Sequence, residues 1–267
     1  MKVLSAYTAV AYRELLELLK ERRYEFGDYR DGRGREGERI VYLRHDIDYS
    51  PGWALSLARI NAEAGATATF FFQLRSPNYN LHSYTTIAAI RQICTLGQRV
   101  GLHFSLDGNP PRSNAELADC IAADYKAMQT QIADVIPVFS WHNPSVLPEV
   151  LPRAPEVQVH GLVNTYARQF VGQIKYYSES NMRYSLAELR AIIQSGERRF
   201  QLLIHPFQWV AGGRDMQEVL AQTWIQVIRE KEREFLTNHI YRQQFPDGMS
   251  QEWLDQLAAR IGTHRGN

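Results

Sequence analysis

The sequence predicts an α/β fold, a single domain built as an irregular (β/α)7-type barrel. Three observations predict it. Short apolar runs rich in β-branched and aromatic residues alternate with longer segments of helical periodicity, giving about seven strands. Helix starts and stops fall between these runs, at Ser, Pro and Gly. Polar residues able to do chemistry stand directly behind the apolar runs. That is the C-terminal strand end, where such a barrel carries its reactive groups.

The elements follow in order. Residues 6–23 carry Tyr12, Leu15, Leu16 and Leu19 at helical spacing, and the Gly- and charge-rich 28–39 reads as a loop. Ile40–Leu43 is an apolar strand. Ser50-Pro51 opens a helix that stops at Gly65, with Ser at the N-cap and Pro at the first position. Thr67–Leu74 is a strand, Tyr84–Leu96 a helix closed by Gly97, and Arg99–Phe104 a strand. Ser113 caps a helix to about Asp134. Val138–Trp141, Val157–Val163 and Ile174–Ser178 read as strands. Ser185–Ser195 is a helix with Ser185 and Glu188 as a capping box. Phe200–Ile204 is a strand, Met216–Asn238 one long amphipathic helix, and Ser250–Ile261 a terminal helix. We expect three parts: an N-terminal helix and loop at 1–38, the barrel at 39–210, and C-terminal helices packed on it at 211–267.

With 267 residues, 45% of them hydrophobic, the chain can bury one large core. Its formal net charge of +1, without a basic stripe, argues against a nucleic-acid partner. No apolar run approaches the ~18 residues that span a bilayer. Arg13, Glu14 and Glu17 interrupt the first apolar stretch, so it does not read as a secretory leader. The two cysteines, Cys94 and Cys120, make no disulfide framework and no zinc-ribbon spacing, and free thiols point to a reducing compartment. The expectation is a cytoplasmic, soluble protein.

Behind Ile40–Leu43 come Arg44, His45, Asp46 and Asp48; behind Val100–Leu102, His103; behind Phe139–Trp141, His142; behind Leu202–Ile204, His205. Asp46 and Asp48 are two apart, so on an extended chain they share a face. Carboxylates and imidazoles converging at one barrel mouth can hold a divalent ion such as zinc, iron, cobalt or nickel. A carboxylate left off the ion can take a proton from water, and a further His can protonate a leaving group. Each piece alone has a plain alternative, since an Asp-x-Asp often caps a loop and a single His often only satisfies a core contact. Their joint placement is the functional signal.

LRHDIDYSPGWALSLARINAEAGATATFFF, then LGQRVGLHF, SWHNPS, IKYYSESNMRY and LLIHPFQW, resembles the polysaccharide deacetylases of the NodB-homology superfamily. More closely it resembles their subgroup with an RHDxD signature, over about residues 39–210. The resemblance implies an irregular (β/α) barrel, a divalent metal and hydrolysis of an N-acetyl or related C–N bond. Carried over, Asp46 is the general base, Asp48 and His103 are metal ligands, and His205 is the general acid. Two positions depart from the pattern. The family's second metal histidine falls here on Asp107, which leaves His142 or Asp107 as the third ligand, His142 preferred; an orienting role is the other reading of His142. Glu179 stands where near relatives carry Asp. Arg44, Asn164, Tyr166 and Glu179 are candidate substrate-binding residues, with Arg44 alternatively holding Asp46 ionised.

The function expected is a metal-dependent deacetylase or amidohydrolase. It would remove an acyl group, N-acetyl by preference, from a sugar or a sugar-containing surface-polysaccharide precursor, with zinc as the first choice of metal. The alternatives are a C–N hydrolase acting on a small cyclic amide or ureide, and a catalytically inactive sugar-binding homologue. The partner expected is a small-molecule or carbohydrate substrate. The long C-terminal helix, with Leu220, Trp224, Val227 and Ile228, either covers the barrel or pairs in a homo-oligomer.

Overall fold

A computed structural model describes residues 7–32, 38–106, 113–144 and 158–263. Its strands are β1 (Glu25–Phe26), β2 (Ile40–Ile47), β3 (Thr69–Phe72), β4 (Arg99–Phe104), β5 (Val135–Trp141), β6 (Gln158–Val159), β7 (Leu162–Asn164), β8 (Lys175–Ser178) and β9 (Arg199–Ile204). Seven run parallel in the order β7-β5-β4-β3-β2-β9-β8. β6 lies antiparallel on β7, and β1 pairs with the start of β2. Among the described residues no ladder joins β7 to β8, so backbone pairing leaves the barrel open. Side chains span that seam, where the Tyr166 and Tyr176 hydroxyls lie 3.3 Å apart. The expected parallel α/β barrel of irregular (β/α)7 type is the fold observed.

Strand parity sorts the residues into two populations. On β2, Val41, Leu43 and Ile47 join the layer between sheet and helices, while Ile40 and Tyr42 join a second cluster inside the barrel with Tyr29, Phe71, Val138 and Phe170. Tyr29 plugs this interior from a short 3-10 turn, Tyr29–Asp31, and its hydroxyl donates to Gln201 Oε1 at 2.6 Å. Gly101 is required on β4, because a Cβ there would come within 2.7 Å of the Phe71 ring and 2.8 Å of the Val138 carbonyl oxygen. An aromatic layer therefore closes the bottom of the barrel, and polar residues one or two positions further along the same strands form its mouth.

Helices α1 (Ala9–Glu21), α2 (Pro51–Glu63), α3 (Tyr84–Thr95) and α4 (Asn114–Gln131) cover the outside. Ser113 caps α4 as the sequence announces, and α1 and α3 are capped in the same way. Thr8 Oγ1 accepts from the Ala11 amide, and Ser83 and Ser113 each accept from the amide three residues on. α5 (Arg168–Val171) is a single turn, and α6 (Leu186–Gln194) carries the Ser185/Glu188 capping box. α7 (Pro206–Val210) follows β9 directly. α8 (Met216–Phe235), α9 (His239–Gln244) and α10 (Gln251–Thr263) end the described chain, with α8 packed on α7 and α10 on α8. None of the helices among the described residues is long and apolar enough to cross a membrane.

Four expectations are corrected. β2 does not end at Leu43 but continues to Ile47, because Arg44, His45 and Asp46 all find buried partners. The single strand expected at 157–163 is a hairpin, since His160 and Gly161 both take positive φ (48° and 80°), the geometry of a two-residue turn. The helix expected to run to Asn238 stops at Phe235, and Asn238 Oδ1 caps a new turn by accepting from the Ile240 and Tyr241 amides. Ser50 stands at the N-cap of α2, but its hydroxyl donates to Glu230 at 2.9 Å instead of capping.

Candidate active site

Even-numbered residues of β2 face the barrel interior, so Arg44, Asp46 and Asp48 rise in one file above Tyr42. Arg44 is fully buried and clamps Asp46 through both carboxylate oxygens, Nε to Oδ1 at 2.8 Å and Nη2 to Oδ2 at 2.6 Å. Its guanidinium lies over the Tyr166 ring, 4.6 Å from the centroid, and its Nη1 donates to Thr165 Oγ1 at 3.3 Å. The pair crosses from β2 toward the open seam and fills it.

His103 on β4 and His142 just past β5 meet Asp48 at the mouth. Three atoms form a near-equilateral triangle. Asp48 Oδ1 is 3.4 Å from His103 Nε2 and 3.2 Å from His142 Nδ1, and the two nitrogens are 3.2 Å apart. Ser140, on the same face of β5, sets the tautomer. Its hydroxyl donates to Asp46 Oδ1 at 3.4 Å, so it accepts from His103 Nδ1–H at 2.7 Å and leaves a lone pair on Nε2 aimed into the triangle. Asp48, His103 and His142 are a group that could hold a metal ion. The fit is close: ligands at ~2.0–2.1 Å on a tetrahedral ion stand roughly 3.3–3.4 Å apart.

His205 follows β9 and sits above Glu179, which follows β8. Glu179 is wholly buried; Oε1 accepts from the His205 amide and from Trp209 Nε1 at 3.3 Å, and Oε2 accepts from His205 Nδ1–H at 2.8 Å. The other ring nitrogen, Nε2, faces the site 3.8 Å from Asp48 Oδ2.

The charges are set by these contacts. Burial acts to raise the Asp46 and Asp48 pKa values. The Arg44 charge reverses this for Asp46, and the His103 and His142 imidazoles beside it reverse it for Asp48, so both stay below the usual carboxylate range. Burial lowers His103. Burial acts against the charged form of His205 too, but the Glu179 carboxylate outweighs it and lifts the imidazole to about 9. Burial opposes the charged form of His142 as well, but its contact with Asp48 outweighs this and raises it. The mouth therefore joins two ionised carboxylates to three imidazoles, His103 pushed down and His142 and His205 pushed up.

Of the residues singled out in the sequence, Asp46, Asp48, His103, His142 and His205 are brought together. Asp107 lies outside the described residues. Three substrate-binding expectations are corrected because Arg44, Asn164 and Glu179 show no exposed surface. Arg44 holds Asp46, Glu179 holds His205, and Asn164 Oδ1 accepts from the Tyr166 amide at 2.9 Å in a local turn. Tyr166 is half-buried and is the member of that set left within reach of a ligand. Trp53 and Trp209 are core residues, Trp209 stacked on Tyr7 with centroids 4.2 Å apart. Sequence reading missed Ser140 and Gln73. Parity was the signal that would have found them, since Ser140 is two before His142 and Gln73 two after the interior Phe71.

Neither a family model nor a curated protein matches the chain. Solved structures do. The chain is similar to CE4 carbohydrate esterases. A CE4 family pseudoenzyme from Bacillus anthracis matches at 15% identity and a TM-score of 0.46, over 74% of this chain and 63% of that one. A family 4 carbohydrate esterase from Streptomyces lividans, in complex with acetate, matches at 15% identity and 0.40, over 72% and 89%. A chitin deacetylase from Colletotrichum lindemuthianum matches at 15% and 0.41, over 73% and 84%.

Proposed function

We propose that this chain is a metal-dependent hydrolase that removes an acyl group, by preference N-acetyl, from a sugar or a sugar-containing precursor. The observation that carries the reading is the single barrel mouth where a metal-sized triangle of donors lies between a clamped carboxylate and a buried imidazolium. The RHDxD-type motifs over residues 39–210 point the same way.

Asp48, His103 and His142 would hold a divalent ion, zinc by donor chemistry, with iron, cobalt and nickel also suited to imidazole and carboxylate. Such an ion supplies acidification of water and polarisation of an acyl oxygen. The chain's own groups do the rest. Arg44 and Ser140 occupy Asp46 Oδ1, and Arg44 holds one side of Oδ2. The remaining lone pair on Oδ2, 3.6 Å from His103 Nε2, faces the site and takes the proton of the attacking water. His205, charged through Glu179, gives its Nε2 proton to the departing amine as the C–N bond breaks. Tyr166 borders the seam and would contact the sugar.

Two unpaired cysteines, Cys94 half-buried and Cys120 exposed, support placement in a reducing cytoplasm. A substrate there would be a small or nucleotide-linked sugar.

The test is elemental analysis of the purified protein and of its His103→Ala variant, followed by acetate release from N-acetylated sugars. About one transition-metal ion per chain, lost in the variant, together with acetate release by the parent, is the expected result. A protein that takes up no ion on reconstitution would overturn the reading.

A further inference from the structure

We infer that Gln73 is a fourth protein donor to the cation site, through its side-chain carbonyl oxygen. This rests on the proposed metal centre and extends its ligand set. Gln73 directly follows β3, on the interior parity of Phe71, and only 1% of it is exposed. Its backbone is fixed to the strand that carries Asp48. The Gln73 amide donates to the Tyr79 hydroxyl at 2.7 Å, and that hydroxyl donates to the Ile47 carbonyl at 3.0 Å. Asn78 Nδ2 holds the Asp48 carbonyl at 2.7 Å. The segment from 73 to 79 thus locks the Gln73 side chain beside the triangle.

The head of that side chain lies against two of the triangle's three atoms. Gln73 Nε2 is 3.4 Å from Asp48 Oδ1 and 3.4 Å from His142 Nδ1, matching the 3.4 Å edge between Asp48 and His103. Its other end is anomalous. Gln73 Oε1 is buried without a hydrogen-bond partner among the described residues, a position a carbonyl rarely occupies. The two ends of a glutamine amide are nearly the same size and exchange on a half-turn of the last torsion. With a cation present, the lone pairs of Asp48 and His142 are committed to it, and an amide NH2 there would turn its positive end on a positive ion. The exchanged amide presents its negative end instead and gives the orphaned oxygen a partner. The donor set becomes Asp48, His103, His142 and Gln73, two oxygens and two nitrogens, and water would take a fifth position.

The decisive experiment compares zinc and cobalt affinities of the whole chain, by chelator competition, with those of Gln73→Leu, Gln73→Glu and His103→Ala. The visible spectrum of the cobalt form is recorded alongside. Gln73→Leu keeps the volume and loses the donor, so it weakens both ions by about 10- to 100-fold and alters the cobalt bands. Gln73→Glu keeps an oxygen and holds both ions at least as tightly as the parent. Parent-like affinity with an unchanged cobalt spectrum in Gln73→Leu overturns the assignment. So does tenfold weaker binding in Gln73→Glu, which also decides the matter if the leucine variant does not fold. Loss of binding in His103→Ala with no effect at Gln73 leaves the three-residue centre standing and removes Gln73 from it. No binding by the parent chain removes both.

Discussion

His45 and Asp46 are adjacent on one strand, both buried, and they enter two different polar clusters. Asp46 faces inward to Arg44, His103 and Ser140. His45 faces outward beneath α1 and α2, stacked on Phe70 with centroids 4.4 Å apart, and its Nε2–H donates to the Tyr12 hydroxyl at 3.0 Å. Tyr12 donates to Asn61 Oδ1 at 2.6 Å, Asn61 to Gln98 Oε1 at 3.2 Å, and Gln98 to the Ala66 carbonyl at 3.0 Å. The outer cluster is neutral, and its donors run in a chain that ends on backbone. The inner cluster concentrates charge and aims several lone pairs at one point. Burial and histidine are common to both, so neither marks the active site. What marks it is the convergence of carboxylate and imidazole acceptors on one point.

Breaking the inner cluster should cost chemistry first. Asp46→Asn keeps the shape and one acceptor for Arg44 but cannot take a proton. It should retain the metal and lose about 10²- to 10⁴-fold in turnover. Near-parental turnover in metal-loaded Asp46→Asn would remove Asp46 as the base. Arg44→Met then tests the clamp. Leaving Asp46 buried without its partner should lower stability in urea by about 3–5 kcal/mol, and an unchanged denaturation midpoint would show that the pair is not buried as described.

The outer cluster should answer in the opposite way. Tyr12→Phe strands the His45 Nε2–H and Asn61 Oδ1, so stability should fall by about 1–3 kcal/mol while metal affinity and turnover stay at the parent's values. A large loss of turnover without loss of metal would mean that the two faces of β2 are coupled.

Much of this contrast was legible in the sequence. The spacing of Asp46 and Asp48 gave their shared face, and the apolar runs before His103, His142 and His205 placed them at strand ends. Other parts were not legible, because they depend on partners distant in sequence. Parity puts Arg44 on the face of Asp46 and His45 on the other, but nothing local says that Tyr12, distant in sequence, waits on that other face. Glu179 is a candidate substrate contact only through the resemblance; its packing against Trp209 and the backbone of His205, which buries it, is not written in the local sequence. The hairpin at 158–164 was hidden because His160, not a usual turn residue, takes the first positive φ beside Gly161.

The finest test of the comparison sets one buried imidazole against another. Burial pushes His45 down to about 3, since its outer neighbours are neutral, whereas Glu179 overcomes the same burial at His205 and lifts it to about 9. In metal-free protein, proton–nitrogen NMR should find His45 neutral at every pH where the fold survives and His205 charged until the pH rises through about 9. Glu179→Gln removes the charge but keeps an acceptor, so burial should prevail and the His205 midpoint should fall by at least about one unit, roughly 1.4 kcal/mol. The alkaline limb of activity should move down with it, because the proposed mechanism requires protonated His205. Stability follows the same sign: the folded pKa lies above the unfolded value near 6.5, so the pair stabilises fully below that pH and the contribution disappears as pH rises through about 9. The gap between parent and Glu179→Gln should therefore be widest in mild acid and close in alkali. A His205 midpoint that does not move on substitution would show that Glu179 only packs beneath the ring, and the charge that sets the inner cluster apart would then rest on the Arg44–Asp46 pair and Asp48.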